Sequence, residues 1–381
     1  MRTRNLLLFA ILLMTSGTTL SQTIEIRVSV KVIVDPTTGQ TPASMNDALL
    51  RQGFADMNTW LANTWRGYRL RAVDLDANQN FKRIGSTDPT GPSKWYLTNL
   101  KDTPGEAAKF EDEAKANKVL YAWNDFAVNI YFNNGGGYSF ASLPWTGRDL
   151  VGSAYQLLLD DPDPGQTFSR SYKVAGNLLH EVGHFFGLYH TFDLNGDDEL
   201  TDTALDPGVP AGDVRKETVV RNAISQRNFS ADYSALTNSE KRLVDNTANN
   251  AMAYYQLFYD DPAQGKILTE EERFGPTRFV FTEQQMDKWT DFTNNQYNST
   301  HGNTVSGHTR FVCFCLGASD GNTGLLHLEP KRTVLSAVNS SNPSGGDIIL
   351  LRPGNYNEQL IINKPVTLRA TRTGLVTIGQ P

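Results

Sequence analysis

The first sustained alternation of apolar and polar residues runs from Thr23 to Val34, with Ile24, Ile26, Val28, Val30 and Val32 on one side. A period of two predicts a strand with one buried face, ended by Asp35-Pro36 and Gly39. The period then changes. Leu50, Phe54, Met57 and Leu61 recur at helical spacing, and Ser44 stands where a side-chain cap would start that helix. The pattern predicts further strands over 68–75, 127–132 and 138–143, a helix over 106–121, and a loop over 87–93. Strands and helices alternate before residue 190 and thin out after it. That predicts an α/β first half and a loop-rich second half.

Composition narrows the class. With 39% hydrophobic and 10% aromatic residues in 381, the chain can build a sizeable core. A net charge of −6 argues against nucleic acid or an anionic membrane surface as the main partner. Arg2 and Arg4 precede an apolar run, Leu6 to Met14, and Thr19-Leu20-Ser21 places small residues before Gln22. This is the pattern of a secretory signal peptide cut near Ser21-Gln22, too short to span a bilayer. No later stretch is long and apolar enough to span one, so the expectation is a secreted protein. No long segment separates the leader from Ile24, so latency through a propeptide is not expected. Cys313 and Cys315 sit at i and i+2 in an apolar run. On a strand both would face one side, where direct pairing is strained, so they are expected as small buried hydrophobes.

The chemistry concentrates in His180-Glu181-Val182-Gly183-His184-Phe185-Phe186-Gly187-Leu188-Tyr189-His190, which holds three of the six histidines. His180 and His184 are one helical turn apart. Ala175, Leu178, Leu179, Val182, Phe185 and Phe186 form the apolar stripe on the opposite side of the same helix. Gly187 can take a positive φ and end the helix, letting the chain return His190 as a third ligand. Three neutral imidazoles with an open fourth position suit one catalytic Zn2+, with Zn–N bonds of ~2.0–2.1 Å. Glu181, beside the first ligand, is placed as the general base for a zinc-activated water.

His-Glu-x-x-His-x-x-Gly-x-x-His resembles the zinc signature of the metzincin metalloproteases. Asn249-Asn250-Ala251-Met252-Ala253-Tyr254 is similar to the methionine turn of that clan. The surroundings of His190 and Asp198-Glu199-Leu200-Thr201-Asp202-Thr203 resemble the pappalysin-like (cytophagalysin) branch. Asp197 and Ala204 depart from it where members often carry Gly and Pro. The resemblance covers roughly residues 24–300. It implies a zincin fold with a twisted mixed sheet, peptide-bond hydrolysis, and protein or peptide substrates lying against the edge near Tyr138 to Leu143. It also implies Met252 as a hydrophobic floor and Tyr254 as the oxyanion-stabilising hydroxyl, with Tyr255 the alternative. Relatives bind structural Ca2+ near Asp198, Asp202 and Thr203; the competing reading is a solvated acidic loop. An EF-hand fails there, because Asp198 stands at its Gly position and Ala204 at its terminal Glu. The rival function is a non-catalytic surface or carbohydrate binder on a protease-like scaffold.

Toward the C-terminus, Thr282-Glu283-Gln284-Gln285 forms a capping box before Met286, Trp289 and Phe292. Residues 294–307 are polar. Short apolar runs between Gly, Asn and Pro turns at 344–356, 360–368 and 376–378 resemble the opening rungs of a right-handed parallel β-helix, with 333–340 as a capping helix. A solenoid needs about three stacked repeats, and little more than one is present. The expected division is a leader over 1–21, a protease unit over 22–305, a linker over 306–325 and a partial β-helix over 326–381. A chain ended at Asn303 is then expected to keep the zinc chemistry.

Overall fold

The computed structural model describes residues 23–42, 45–62, 64–101, 103–136, 139–154, 170–193, 198–203, 237–248, 250–253, 281–298, 305–371 and 374–379. The expected leader, Ser44, Tyr138, Tyr254 and Tyr255 lie outside them.

The alternation over 23–34 forms β1 (Ile24–Ile33), the middle of a six-stranded sheet. One edge of β1 pairs β2 (Tyr68–Val73) and then β3 (Lys82–Ile84); the other pairs β4 (Val128–Asn133), all parallel. β4 pairs β6 (Leu150–Ala154) in parallel, and β6 pairs β5 (Phe140–Ala141) antiparallel at the sheet edge. β3 and β6 are too short or too featureless in pattern to stand out in the sequence.

The polar face of β1 was expected to meet water, but Ser29 and Lys31 are fully buried. A parallel sheet is covered on both sides by its crossover segments. Here Lys31 lies beside Tyr131, whose ring meets Phe110 at 4.8 Å and Trp123 at 6.3 Å. The buried ammonium donates to Ser29 O (3.1 Å) and Asn129 Oδ1 (2.5 Å) and sits 4.7 Å over the Tyr131 ring. Burial pulls the Lys31 pKa well below its usual value, against the opposing charge of Asp74.

On the apolar face, α1 (Asp47–Ala62) buries the predicted Leu50, Phe54, Met57 and Leu61, together with Trp60. Its first turn is capped by Asn46, whose Oδ1 accepts from Leu49 N at 2.9 Å. The helix expected over 106–121 divides into α2 (Glu106–Ala116) and α3 (Lys118–Tyr121). Asn117 ends the first, with both its backbone and side-chain nitrogens donating to Glu113 O. α4 (Arg170–Phe185) carries the histidines and crosses α1 closely at Gly53, where a Cβ would stand 2.5 Å from Val174 Cγ1. A short α5 (Asn238–Ala248) follows. α6 (Glu283–Asn298) opens with the predicted box in reciprocal form: Gln285 N donates to Thr282 Oγ1 and Thr282 N to Gln285 Oε1.

The expected linker over 306–325 is instead structured. Val305 bridges Ile26, Ser306 N donates to Glu25 O, and β7 (Thr309–Val312) begins a second sheet. Asn294 of α6 donates to Thr309 O and Leu325 O, and Thr309 Oγ1 lies 3.1 Å from Tyr68 OH. Its first part, Gly307 to Cys313, is buried and bonded to the protein, whereas most of 314–323 faces water. After α7 (Val334–Ser340), β8 (Ile348–Leu351) lies between β7 and β10 (Thr367–Ala370), all parallel. β9 (Gly354–Tyr356) pairs β11 (Val376–Ile378) in parallel. One strand pair is thus stacked on the next, around a second core of Val312, Val334, Val338, Ile349, Leu351 and Tyr356.

Cys313 and Cys315 are joined by a disulfide, against the expectation of two thiols. The expectation assumed a continuous strand. β7 ends at Val312 and the chain bends, bringing the two Cα atoms to 5.3 Å, within the range a disulfide spans.

Candidate metal centre

α4 places His180 and His184 on one side, one turn apart, and their rings meet edge to face at 4.7 Å. The helix stops where predicted. Gly187 has φ +82°, and a Cβ there would lie 2.2 Å from the Phe292 ring of α6. Both the turn and the packing therefore require glycine. The reversed chain returns His190, whose Nε2 lies 3.1 Å from His180 Nε2 and 3.0 Å from His184 Nε2. These three are the only potential metal-binding group of three or more His, Cys, Asp or Glu side chains among the described residues.

The other ring nitrogens decide what that convergence means. His180 Nδ1 donates to Ala251 O (2.6 Å), His184 Nδ1 to Leu188 O (2.7 Å) and His190 Nδ1 to Asp193 Oδ1 (2.8 Å). Carbonyl and carboxylate oxygens only accept, so each Nδ1 carries the proton and each Nε2 presents a lone pair. Burial adds to this. It drives His180 down to about 3, helped by the charges of His190 and Lys101, and His184 well below its usual value. Three imidazoles, His180 and His184 of them held neutral by burial, therefore converge their Nε2 atoms on one point, an arrangement that a cation relieves. A tetrahedral ion with bonds of ~2.0–2.1 Å spaces its ligands about 3.3 Å apart, close to the separations found. The residues fit a divalent metal, and their outer hydrogen bonds fix ring orientation as in known metal sites.

Glu181 is buried beside the first histidine, and its Oε2 has no hydrogen-bond partner. Burial pushes its carboxyl up to about 8, opposed by the positive charge of Lys101. A buried carboxylate oxygen with no donor on it is placed to accept a proton. Beneath the histidines lies the turn containing Ala251 and the fully buried Met252. A Cβ on Gly183 would lie 2.6 Å from Met252 Sδ, so this glycine admits the thioether against α4. Met252 N donates to Asn250 Oδ1, and Asn250 Nδ2 donates to Gln285 Oε1, tying the turn to the start of α6.

The expected calcium residues serve the same scaffold. Asp198 Oδ1 accepts from Thr203 Oγ1 (2.8 Å) and Oδ2 from Gln285 Nε2 (3.2 Å); Asp202 Oδ2 accepts from Gln284 N (3.0 Å). Protein donors supply for Asp198 what an ion was expected to supply. Asp198 and Thr203 are brought together, and Asp202 caps α6. The sequence reading missed Asp193, the outer partner of His190. Its signal was an acid three residues after the third ligand.

No protein-family model matches this chain. It is 31% identical over 115 residues to an extracellular metalloprotease of Colletotrichum graminicola, covering 28% of this chain and 40% of that protein. It is 28% identical to serralysin of Photorhabdus luminescens over 145 residues, 37% of this chain and 27% of the serralysin. An extracellular metalloprotease of Podospora anserina is 24% identical over 198 residues, 49% of this chain and 58% of that protein. The aligned parts thus span about two fifths or less of the first two relatives. Among solved structures, mirolysin in complex with compound 9 superposes with a TM-score of 0.41 at 17% identity, over 74% of this chain and 95% of mirolysin. No helix among the described residues is long and apolar enough to cross a membrane.

Proposed function

We propose that this chain is a secreted zinc endopeptidase of the metzincin type, in its pappalysin-like branch, that hydrolyses protein or peptide substrates. The observation that carries this reading is the set of three lone-pair-bearing Nε2 atoms focused beside the unpartnered Glu181 Oε2. Sequence similarity to proteins named metalloprotease and serralysin supports it.

His180, His184 and His190 would hold the metal, their Nδ1 protons held by Ala251 O, Leu188 O and Asp193. When bound, zinc supplies Lewis-acid polarisation of the scissile carbonyl. Glu181 takes the proton of the attacking water at Oε2 and later delivers it to the leaving amine. The substrate strand lies along the open edge of β5, where backbone hydrogen bonds orient it. Met252 closes the site from below and excludes water. Tyr254 adds a hydroxyl for the oxyanion, and Tyr254→Phe should lower kcat by about 10–100-fold with KM little changed. Export follows from the leader cut near Ser21-Gln22. The stacked strands after residue 326 are the opening of a parallel β-helix, and a calcium ion near Asp198, Asp202 and Thr203 is retained only as a structural addition to their protein hydrogen bonds.

The test is hydrolysis of casein by the full chain, with and without a chelator, alongside metal analysis. The reading expects about one zinc per chain and activity that chelation removes and zinc restores. Zinc-loaded protein that cleaves no peptide but binds a glycan would instead support the rival binding-protein reading.

A further inference from the structure

Next to the metal ligands lies an aromatic surface that the proposed hydrolysis does not use. Trp145 sits in the short connection between β5 and β6, where Ser142 N donates to Leu150 O and closes the hairpin. Its ring lies 5.2 Å from Tyr189 and 6.1 Å from Phe292, centroid to centroid. Tyr189 immediately precedes His190, and Phe292 is the ring packed against Gly187. Trp145 therefore bridges the edge-strand hairpin and the reversed chain that returns the third ligand. It is nevertheless 51% exposed. Lys288 Nζ lies 4.9 Å over the Tyr189 ring and pairs with Glu199 at 3.4 Å, so the cation beneath the platform is compensated.

A tryptophan that packs part of its surface on two aromatic rings and leaves half open beside a reactive centre has the form of a side-chain subsite. The strand geometry says which part of a substrate would meet it. β5 is the edge strand of the sheet among the described residues, so a peptide adding to that edge pairs with its outer side. A peptide running antiparallel to β5 places its N-terminal part beside the end of β5, from which the chain continues through Leu143 to Trp145. The edge segment is itself tied to α4, because Ser139 Oγ donates to Asn177 Oδ1 at 2.9 Å.

We propose that Trp145 and Tyr189 form an aromatic subsite that selects peptides carrying an aromatic side chain N-terminal to the scissile bond. This rests on the peptidase reading and adds to it a residue class and a side of the cleavage point. The subsite contributes ring stacking and apolar burial rather than charge, so its preference is insensitive to salt.

The experiment compares matched peptides with Phe or Ala at each of the three positions before the scissile bond. They are cleaved by the zinc-loaded full chain and by Trp145→Ala and Trp145→Phe variants. Wild type should prefer Phe at one of these positions by about tenfold in kcat/KM. Trp145→Ala should lose that preference while keeping its zinc, its kcat/KM for the Phe peptide falling to that for the Ala peptide. Trp145→Phe should recover most of the preference, a rescue that a merely structural role would not give. An active wild type with no Phe preference, or a preference unchanged in Trp145→Ala, overturns the subsite and leaves the peptidase reading standing. A wild type inactive on every peptide overturns both.

Discussion

Two regions of the described chain, the end of α4 and the C-terminal strands, use polar residues in different ways. Around the end of α4, polar atoms converge: three imidazoles share one focus, each held by an outer acceptor, with a buried carboxylate beside them. In the stacked strands after β7, they are spread along seams. Lys364 Nζ meets the backbone oxygens of Asn339 and Ser341, Glu358 accepts from Val334 N and Leu335 N, and Asp347 accepts from His308 N and Asn342 N. The first arrangement concentrates lone pairs where a reaction needs them, at a cost in repulsion and desolvation. The second satisfies turns and helix ends, and leaves apolar side chains such as Ile361 and Leu375 about three quarters exposed or more.

The two regions are coupled through α6. Gln285 holds the turn under the histidines and Phe292 packs on Gly187. On the same helix, Asp287 pairs with Arg66 (2.9 Å) and with Arg352 of the stacked strands (2.8 Å), and Asp291 takes His327 at 2.7 Å. The C-terminal strands are therefore fastened to the helix that supports the metal site.

Removing a ligand breaks the comparison most completely. His184→Ala should leave less than a tenth of the wild-type zinc and no measurable peptidase activity, read by metal analysis and a peptide assay; full zinc occupancy would remove His184 from the ligand set. Separating proton transfer from metal binding comes next. Glu181→Ala removes no ligand, so zinc should stay near wild type while kcat falls at least ~100-fold. Wild-type turnover in that variant would show that another group takes the proton.

The fastening is tested by Asp287→Ala, which leaves the buried Arg66 and the partly buried Arg352 without their shared partner. Arg66 keeps Glu283, so the cost falls below that of a fully orphaned buried charge, about 2 kcal/mol, or roughly 3–6 °C in melting temperature. A chain ended near Asn303 should be destabilised as well, because it also loses the contacts of Thr309 and His327; sequence alone predicted that it would keep the zinc chemistry. Equal melting temperatures for the truncated and full chains would restore the picture of an independent C-terminal unit.

The smallest effect is a pH dependence of the same seam. The hydrogen bond and charge of Asp291 raise His327 above its ordinary 6.5, against a desolvation that lowers it. A raised folded-state value means that the ion pair contributes fully below pH 6.5 and that the contribution fades as pH climbs past that value. His327→Gln should lower the melting temperature at pH 5.5 and match wild type near pH 9. The difference should be under about 1 kcal/mol for this partly exposed pair. A stability gap that widens with pH would reverse the assignment.

Much of this molecule is written in local pattern. β1, α1 and β4 follow from periodicity, the capping box at Thr282 from four residues, and the end of α4 from Gly187. The convergence of the three histidines was legible because a helical turn and a glycine reversal translate spacing directly into geometry. Other features depend on residues distant in sequence. Ser29 and Lys31 are buried because α2 and Trp123 cover the sheet, which no alternation can reveal. Residues 306–325 looked like a linker because polar composition does not say whether the partner is water or Asn294. The acidic pattern around Asp198 likewise does not say that Thr203 and Gln285 each donate to one of its oxygens. Periodicity reports which face is apolar and how far apart two side chains lie along one element. Only the packing of elements decides which polar groups satisfy one another and which are left, like Glu181, with an oxygen unpaired.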